Sequence, residues 1–590
     1  MSVILSNVPD APLSAPQARI AVALATAAIV IPALLAFNVP PSATFLNQAT
    51  SVVGWATFLA LLAGSVGLPR IASRGGVAAL VAALALVGLA TLGSMGWASL
   101  PASLGLPMLA CVAMAALTAV VAAAAFQSGH GETVFGALCI ALVVAGVLSV
   151  VVGVVQVFAP DWADGNWIAP SAAEGRASGN LRQPNHLSSL LLWSIIAAIW
   201  LTETKQVARA AGVLLLLAFL FVLVLAASRT GVFGVAVLAV WGVTDRRLTR
   251  QTRAMLLLAP LIYLVFFGGL SLWAHSSQHV FGGEARLSES ESPNSRWNIW
   301  ANTLALIAAH PWRGVGLGEF NFAWSLTPFP HRPTAFFDHT HDLPLQLAVE
   351  MGLPLAVVVL ALLSWALWRA FAASRDATAP EATLLRAAWM MVVMIGVHSL
   401  FEYPLWYAYF LLPAAFAWGL CLGASDRVAP AARGGQAGRA PALMLASVLM
   451  LAGGVASVAD YLRVVAIFSP DEAAPPLSER IAAGQRSWFF AHHADYAAAT
   501  TAEHPSDAMS SFKVATHYLL DTRIMMAWAT ALHESGDDER ARFIAQRLRE
   551  FRNEDANAFF EACNTEPPAG ASRPFQCTPP TRSFDYRDFR

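Results

Sequence analysis

Two histidines one residue apart, His339 and His341, lie in the stretch "RPTAFFDHTHDLPLQLAVEMGLPLA", where a polar segment gives way to a long apolar run. Imidazole titrates near neutrality, so a histidine at the mouth of an apolar segment is a candidate general base. On a helix, residues i and i+2 point apart; in an extended stretch they share a side. Asp338 and Asp342 are adjacent, but the spacing matches no metal-ligand pattern, and no metal or other cofactor is expected. Other polar groups stand next to apolar runs: Arg182, Gln183 and Asn185 in "ASGNLRQPNHLSS", Arg229 in "ASRTG", Arg296 before Trp297, and Glu402 and Tyr403 in "HSLFEYPLWY". Charge beside lipid is costly, so such residues usually pair or serve function. Arginine presents a planar fork of donors suited to phosphate oxygens, which makes Arg182, Arg229 and Arg296 candidates for holding a diphosphate. Glu350 shares a helical face with Gln346, four residues earlier, and either Glu350 or Glu402 could orient an arginine or a histidine.

The elements that must position these groups are membrane helices. Of 590 residues, 57% are hydrophobic and 12% charged, about half the charge of an ordinary soluble domain. Thirteen apolar runs approach the roughly 20 residues of a membrane span: 20–37, 45–64, 77–95, 102–126, 134–158, 187–201, 211–227, 231–243, 254–273, 343–368, 387–400, 404–422 and 441–460. The first follows a polar leader and lacks a convincing cleavage site, so it reads as a span. The fold class is an all-α polytopic membrane protein of about 12–13 transmembrane helices with a helical C-terminal region.

Lysine and arginine collect in alternate loops: Arg70 and Arg74, Lys205 and Arg209, "DRRLTRQTR" at 245–253, Arg369, Arg375 and Arg386, then Arg427, Arg433 and Arg439. That bias puts the N-terminus in the cytoplasm and places 159–186, 228–230, 274–342 and everything beyond about 461 on the other side. All the candidate groups then meet one membrane face. No clustered basic soluble surface is present, so no nucleic-acid partner is expected.

The chain divides into a membrane core, 1–460, with a large outer loop, 274–342, and a tail, 461–590, joined through "SPDEAAPPLSER". Residues 523–551 read as two helices around a Gly-Asp turn, with Ala541, Phe543, Ile544 and Leu548 as the apolar stripe of the second. The unit is either one tetratricopeptide-like hairpin or part of an ordinary small helical domain. Cys563 and Cys577 lie in the tail, where an oxidising compartment would permit a disulfide. In the loop, a half-buried helix is expected from about Ser295, capped by Asn294 or Ser295. Trp297, Trp300 and Leu304 form one face that lies in the membrane interface. Trp162 and Trp167 read first as interface anchors, with sugar platforms as the alternative, and Arg176, Arg313 and Arg332 as solvated loop arginines. Gln183 and Asn185 either bind diphosphate or sugar, or cap the helix that Pro184 begins.

Four stretches, "SGNLRQPNHLSSLLL", "RWNIWANTLALIAAHPWRGVGLGEF", "FFDHTHDLPLQLAVEMGLPLA" and "HSLFEYPLWYAYF", together resemble the bacterial protein O-oligosaccharyltransferases of the O-antigen ligase and polymerase superfamily. The likeness spans about 160–410, and the tail resembles the pilin-glycosylating branch. It implies transfer of a preassembled oligosaccharide from undecaprenyl diphosphate to Ser or Thr hydroxyls of a periplasmic protein such as pilin. The bilayer is the setting: a bacterial inner membrane with the site and tail in the periplasm. It also implies arginines around the diphosphate (Arg182 or Arg229, and Arg296) and a loop histidine as base. Asp342 replaces the asparagine often seen after the family's His-x-His; His341, next to it, is the favoured base and His339 the alternative. Arg182, Gln183, Asn185, Glu350, Glu402, Tyr403 and Trp297 are the substrate-binding candidates. Direct attack would invert the anomeric centre. A ligase acting on lipid A core, a polymerase acting on another glycan, and more remotely a lipid-linked glycan transporter are the competing readings.

Overall fold

Long apolar runs can satisfy their backbone groups in lipid only by becoming helices, and the computed structural model is built from them. It describes residues 14–69, 75–171, 173–277, 279–284, 296–330, 332–376, 381–426, 440–565 and 572–590. Arg70, Arg74, Arg427, Arg433, Arg439 and the caps expected at Asn294 and Ser295 lie outside the described residues. Twelve described helices are long and apolar enough to cross a membrane. They are α1 (Ala15–Leu34), α2 (Phe45–Ala63), α3 (Gly76–Trp97), α4 (Ala102–Gln127), α5 (Gly131–Phe158), α6 (Pro184–Glu203), α7 (Arg209–Ala226), α9 (Arg250–Ser277), α13 (Leu353–Asp376), α14 (Glu381–His398), α15 (Ala408–Ser425) and α16 (Pro441–Phe468). The apolar α8 (Arg229–Thr244) has 16 residues, about 24 Å at 1.5 Å per residue. It packs against α9 and α6.

Helix ends gather into two sets. At one end, Asn180 donates to the Leu34 carbonyl (2.6 Å), the Leu317 amide to Ser94 Oγ (2.7 Å) and the Ala177 amide to the Leu225 carbonyl (3.0 Å). At the other, Asp426 accepts from the Gly76 and Val77 amides (3.0 and 3.2 Å), Arg386 pairs with Asp245 (2.6 Å), and Arg247 donates to the Arg375 carbonyl (2.9 Å). The described basic loops share this second end.

The run expected to cross at 343–368 is in fact two helices, α12 (Leu343–Met351) and α13. Gly352 divides them, at φ +76°, with the Trp312 backbone 2.5 Å from where a Cβ would stand. Glu350 therefore lies outside the crossing helix. The loop before α12 carries α10 (Arg296–Ala309) and the short α11 (Phe320–Leu326). In α10, Ile299, Leu306 and Ile307 are buried while Trp297 and Leu304 are exposed.

The tail is helical: α17 (Leu477–Gly484), α18 (Ala491–Thr501), α19 (Met509–Tyr518), α20 (Thr522–Glu534) and α21 (Asp538–Phe551). Gly536, at φ +83°, turns the chain between α20 and α21. Ala541, Phe543, Ile544 and Leu548 all face inward. A disulfide joins Cys563 to Cys577. The tail does not keep its core to itself. Ile524, Met525, Leu548 and Phe551 share one apolar cluster with Phe320, Trp324, Leu326 and Val349 of the loop region.

Two arginines read as solvated are not. Arg176 donates to the Ala226 and Ala227 carbonyls (3.2 Å each) at the end of α7. Arg332 is buried, pairs with Glu550 of α21 (3.2 Å), and lies over the rings of Trp324 and Phe551 at 5.0 and 4.6 Å. Desolvation is offset there by one ion pair, the Trp324 and Thr327 carbonyls and three aromatic faces, Phe329 being the third. Sequence cannot show this, because Glu550 and Phe551 come from a helix more than two hundred residues away. Arg332→Ala is expected to cost about 2 kcal/mol by emptying the aromatic slot and leaving Glu550 with Arg547 (2.8 Å) as its remaining ion-pair partner. The checks are a lower melting temperature in detergent and faster protease cleavage in the 470–476 linker.

Candidate active site

At the first end of the bundle, one carboxylate collects groups from three places. Glu402, in the short link between α14 and α15, is buried. Its Oε1 lies 2.9 Å from Arg296 Nη2 at the start of α10 and 3.2 Å from Asn185 Nδ2 in the first turn of α6. Its Oε2 lies 3.0 Å from His341 Nδ1 and 3.7 Å from His339 Nε2. The two imidazoles meet at 2.9 Å between His339 Nε2 and His341 Nδ1, because the segment carrying them is not helical. Asp338 accepts from His339 Nδ1 on the far side.

Proton positions follow from the partners. A carboxylate only accepts, so His341 Nδ1 carries the proton it gives Glu402, and the lone pair sits on Nε2. That Nε2 has no hydrogen-bond partner among the described residues. Burial lowers the pKa of His341 and prevails over Glu402, aided by His339 and Arg296. Burial acts the same way on His339, but Asp338 and Glu402 together outweigh it and raise its pKa. Burial alone would raise Glu402; the histidines and Arg296 reverse that and hold it well below the usual carboxylate range. The result is an ionised carboxylate orienting a neutral imidazole whose second nitrogen is available, the arrangement a general base requires. His341 also takes a left-handed backbone, φ +56°, an uncommon conformation outside glycine that is held by its surroundings.

Local structure fixes each member. Asp342 caps α12 by accepting from the Leu345 amide (2.8 Å). Gln346 accepts from the Thr340 amide (2.8 Å), and the Trp300 indole donates to the Thr340 carbonyl (2.9 Å), tying α10 to the histidine segment. Tyr403 lies on His339 with ring centroids 3.6 Å apart.

The remaining candidates are placed differently. Gln183 caps α6, accepting from the His186 amide (3.1 Å). Arg182, in a left-handed conformation, donates to the Ala36 carbonyl. Arg229 opens α8; one turn on, Phe233 stacks on Phe401 at 4.6 Å, next to Glu402. Trp297 is 75% exposed and meets Trp300 edge-on. Glu350 lies beneath the loop, accepting from the Phe320 amide (3.3 Å), and burial pushes its pKa up to about 8. It is not among the groups bonded to the histidine pair.

Sequence reasoning passed over two buried histidines below the cluster: His186, bonded to Tyr409 (3.1 Å), and His398, bonded to Ser189 (2.7 Å). The signal was there. Asn185 and Ser189 are spaced four apart in an apolar helix, a polar stripe that must find partners.

His339, His341 and Glu402 place ligand atoms within 4.8 Å of one another. Two features fit a metal poorly. Arg296 shares the carboxylate, and the facing imidazole nitrogens are 2.9 Å apart. On a tetrahedral zinc, with bonds of about 2.0–2.1 Å, they would stand about 3.3 Å apart.

Comparison with known proteins adds the family. Residues 177–201 match a family described as protein glycosylation ligase, 211–360 one described as O-antigen ligase, and 386–562 one described as virulence factor membrane-bound polymerase, C-terminal. Two relatives from Acinetobacter baylyi, a general O-oligosaccharyltransferase and a ComP-specific O-oligosaccharyltransferase, are 26% and 25% identical over 256 residues, 42% of this chain. The matched region spans 43% and 44% of those proteins, less than half the length of either. The three matched families cover α6, the histidine-bearing loop and the Glu402 link in chain order, so the segments that build the site are each similar to the O-antigen ligase and Wzy-related proteins, with homology to the protein-glycosylating oligosaccharyltransferases.

Proposed function

We propose that this protein transfers a preassembled oligosaccharide from undecaprenyl diphosphate to Ser or Thr hydroxyls of a periplasmic protein such as pilin. The observation that carries the reading is Glu402 joined at once to His341 and Arg296 (3.0 and 2.9 Å). A base and a phosphate-binding cation thus surround one buried carboxylate at the end of a helix bundle. The protein acceptor is favoured over lipid A core or a growing glycan by the match to the protein glycosylation ligase family and by the names of the two relatives. The proposed orientation is an inner-membrane protein with its site and tail in the periplasm, as the lysine and arginine bias of the loops implies.

In the reaction, the acceptor hydroxyl attacks the anomeric carbon as His341 Nε2 takes its proton. The bond to the diphosphate breaks, and charge grows on the departing oxygen. Arg296, with Arg229 and Arg182 as further cations, stabilises that charge more in the transition state than in the ground state. Glu402 keeps His341 in the productive tautomer and stabilises the imidazolium that forms. A single displacement inverts the anomeric centre. The membrane core, 1–460, supplies the donor site, and the remainder is a periplasmic extension.

The direct test is purified protein with lipid-linked glycan and candidate acceptors, read by intact mass; glycan appearing only on lipid A core would overturn the assignment. His341→Ala is expected to abolish transfer with the protein still present in the membrane. Near-normal glycosylation by that variant would move the base to His339. Arg296→Ala is expected to slow transfer about a hundredfold, the roughly 3 kcal/mol that one oxyanion-type donor supplies. Because burial lowers the pKa of His341 from 6.5, its base form persists in mildly acidic buffer. Rate is expected to hold at pH 6.5 and to fall only below it; a rate rising steeply between pH 6.5 and 8 would contradict this.

A further inference from the structure

The histidine pair sits in a segment with no regular secondary structure of its own, between α11 and α12. Side chains hold its backbone. Trp300 takes the Thr340 carbonyl and Gln346 the Thr340 amide. Asn321, in α11, donates from Nδ2 to the Phe337 carbonyl (2.9 Å), one residue before Asp338 and two before His339. The Phe337 ring in turn meets the His341 ring edge-on, with centroids 5.7 Å apart.

Asn321 faces two ways. Its Oδ1 accepts from the Leu520 amide of the tail (2.8 Å). Only one orientation of the amide satisfies both partners, since a flip would set donor against donor and acceptor against acceptor. The residue is buried, so both bonds form away from competing water. Three further ties hold the tail against the same stretch of chain. His517 bonds Glu319 through Nδ1 (2.8 Å), both side chains being buried, and lies flat on Phe322 at 4.5 Å. Phe551 stacks on Phe336 at 3.9 Å. Arg590 donates to the Val315 carbonyl. The tail thus grips the chain before and after α11, and at Phe336 it touches the histidine segment itself.

We infer that Asn321 is a positioning residue through which the C-terminal tail fixes the segment bearing His339 and His341. The inference rests on the glycan-transfer reading for its kinetic consequence but not for its geometry. It assigns the tail a part in building the site, distinct from recruiting an acceptor. Asn321 touches no substrate in this account; it acts through the Phe337 carbonyl. A base displaced by about 1 Å loses on the order of a hundredfold in rate, so binding of the lipid donor should survive while turnover does not.

The test uses full-length protein purified in detergent, with lipid-linked glycan and an acceptor protein, and two variants. Asn321→Leu removes both bonds at similar size. Asn321→Asp keeps the bond from Leu520 and loses the one to Phe337. Both are expected to lower kcat about tenfold to a hundredfold per folded molecule, with KM for the lipid donor within about twofold. In Asn321→Asp the tail should remain as protected from protease as in the wild type. Diethylpyrocarbonate labelling of His339 and His341, followed by mass spectrometry, should be faster in both variants. Unchanged kcat per folded molecule, even with a reduced yield, overturns the inference and leaves Asn321 a structural bridge. If the wild type transfers nothing, the transfer reading fails; the labelling then decides alone, and unchanged rates in Asn321→Leu overturn the positioning role.

Discussion

A carboxylate taken out of water at the end of a helix bundle must be compensated, or it will protonate or unfold its surroundings. Glu402 is such a group, and that end of the protein is arranged around it. Arg296 neutralises it, Asn185 donates to it, and His341 gives it a proton-bearing nitrogen. Each partner belongs to a different part of the chain. Satisfying this one charge therefore fixes α10, α6 and the histidine segment relative to the link between α14 and α15. The same requirement sets the chemistry, because the bond that compensates Glu402 also decides which nitrogen of His341 keeps its lone pair.

The tail enters through the same logic of satisfaction. Segments 311–319, 327–330 and 332–342 are largely irregular, and irregular backbone needs partners beyond itself. Much of what it finds lies in the tail. Glu319, Asn321 and Arg332 are each buried, and each has a tail partner in His517, Leu520 or Glu550. Apolar side chains from loop and tail complete a shared core. Removing the tail would expose that core and strand two charged groups and an amide, so loop and tail are energetically one structure.

Strain marks the same region. His341 and Arg182 both take left-handed backbones, as does Gly352 at the break between α12 and α13. Gly352 has an evident reason, the approach of the Trp312 backbone. His341 has no such excuse of size. Its conformation is tolerated because the ring is pinned by Glu402, His339 and Phe337 at once.

Much of this was legible in the chain. Apolar run length is a local property, and it gave the twelve described helices long enough to cross and the short α8, though not the break at Gly352, because each helix meets its backbone needs within itself. The α20–α21 hairpin showed for the same reason, in a stripe and a Gly-Asp turn. The histidine pair, Arg296, Asn185 and Glu402 stood out as polar residues beside lipid-length segments. Their pairing did not: Glu402 is 61 residues from His341, 106 from Arg296 and 217 from Asn185, and no spacing rule spans such separations. For the same reason Arg332 looked solvated, and Asn321 and His517 attracted no notice. The sequence by itself determined which segments enter the membrane and which polar residues are left at their ends. Tertiary structure alone decided which of those residues share a carboxylate, because compensation of a buried charge depends on distance through space, and only packing sets that.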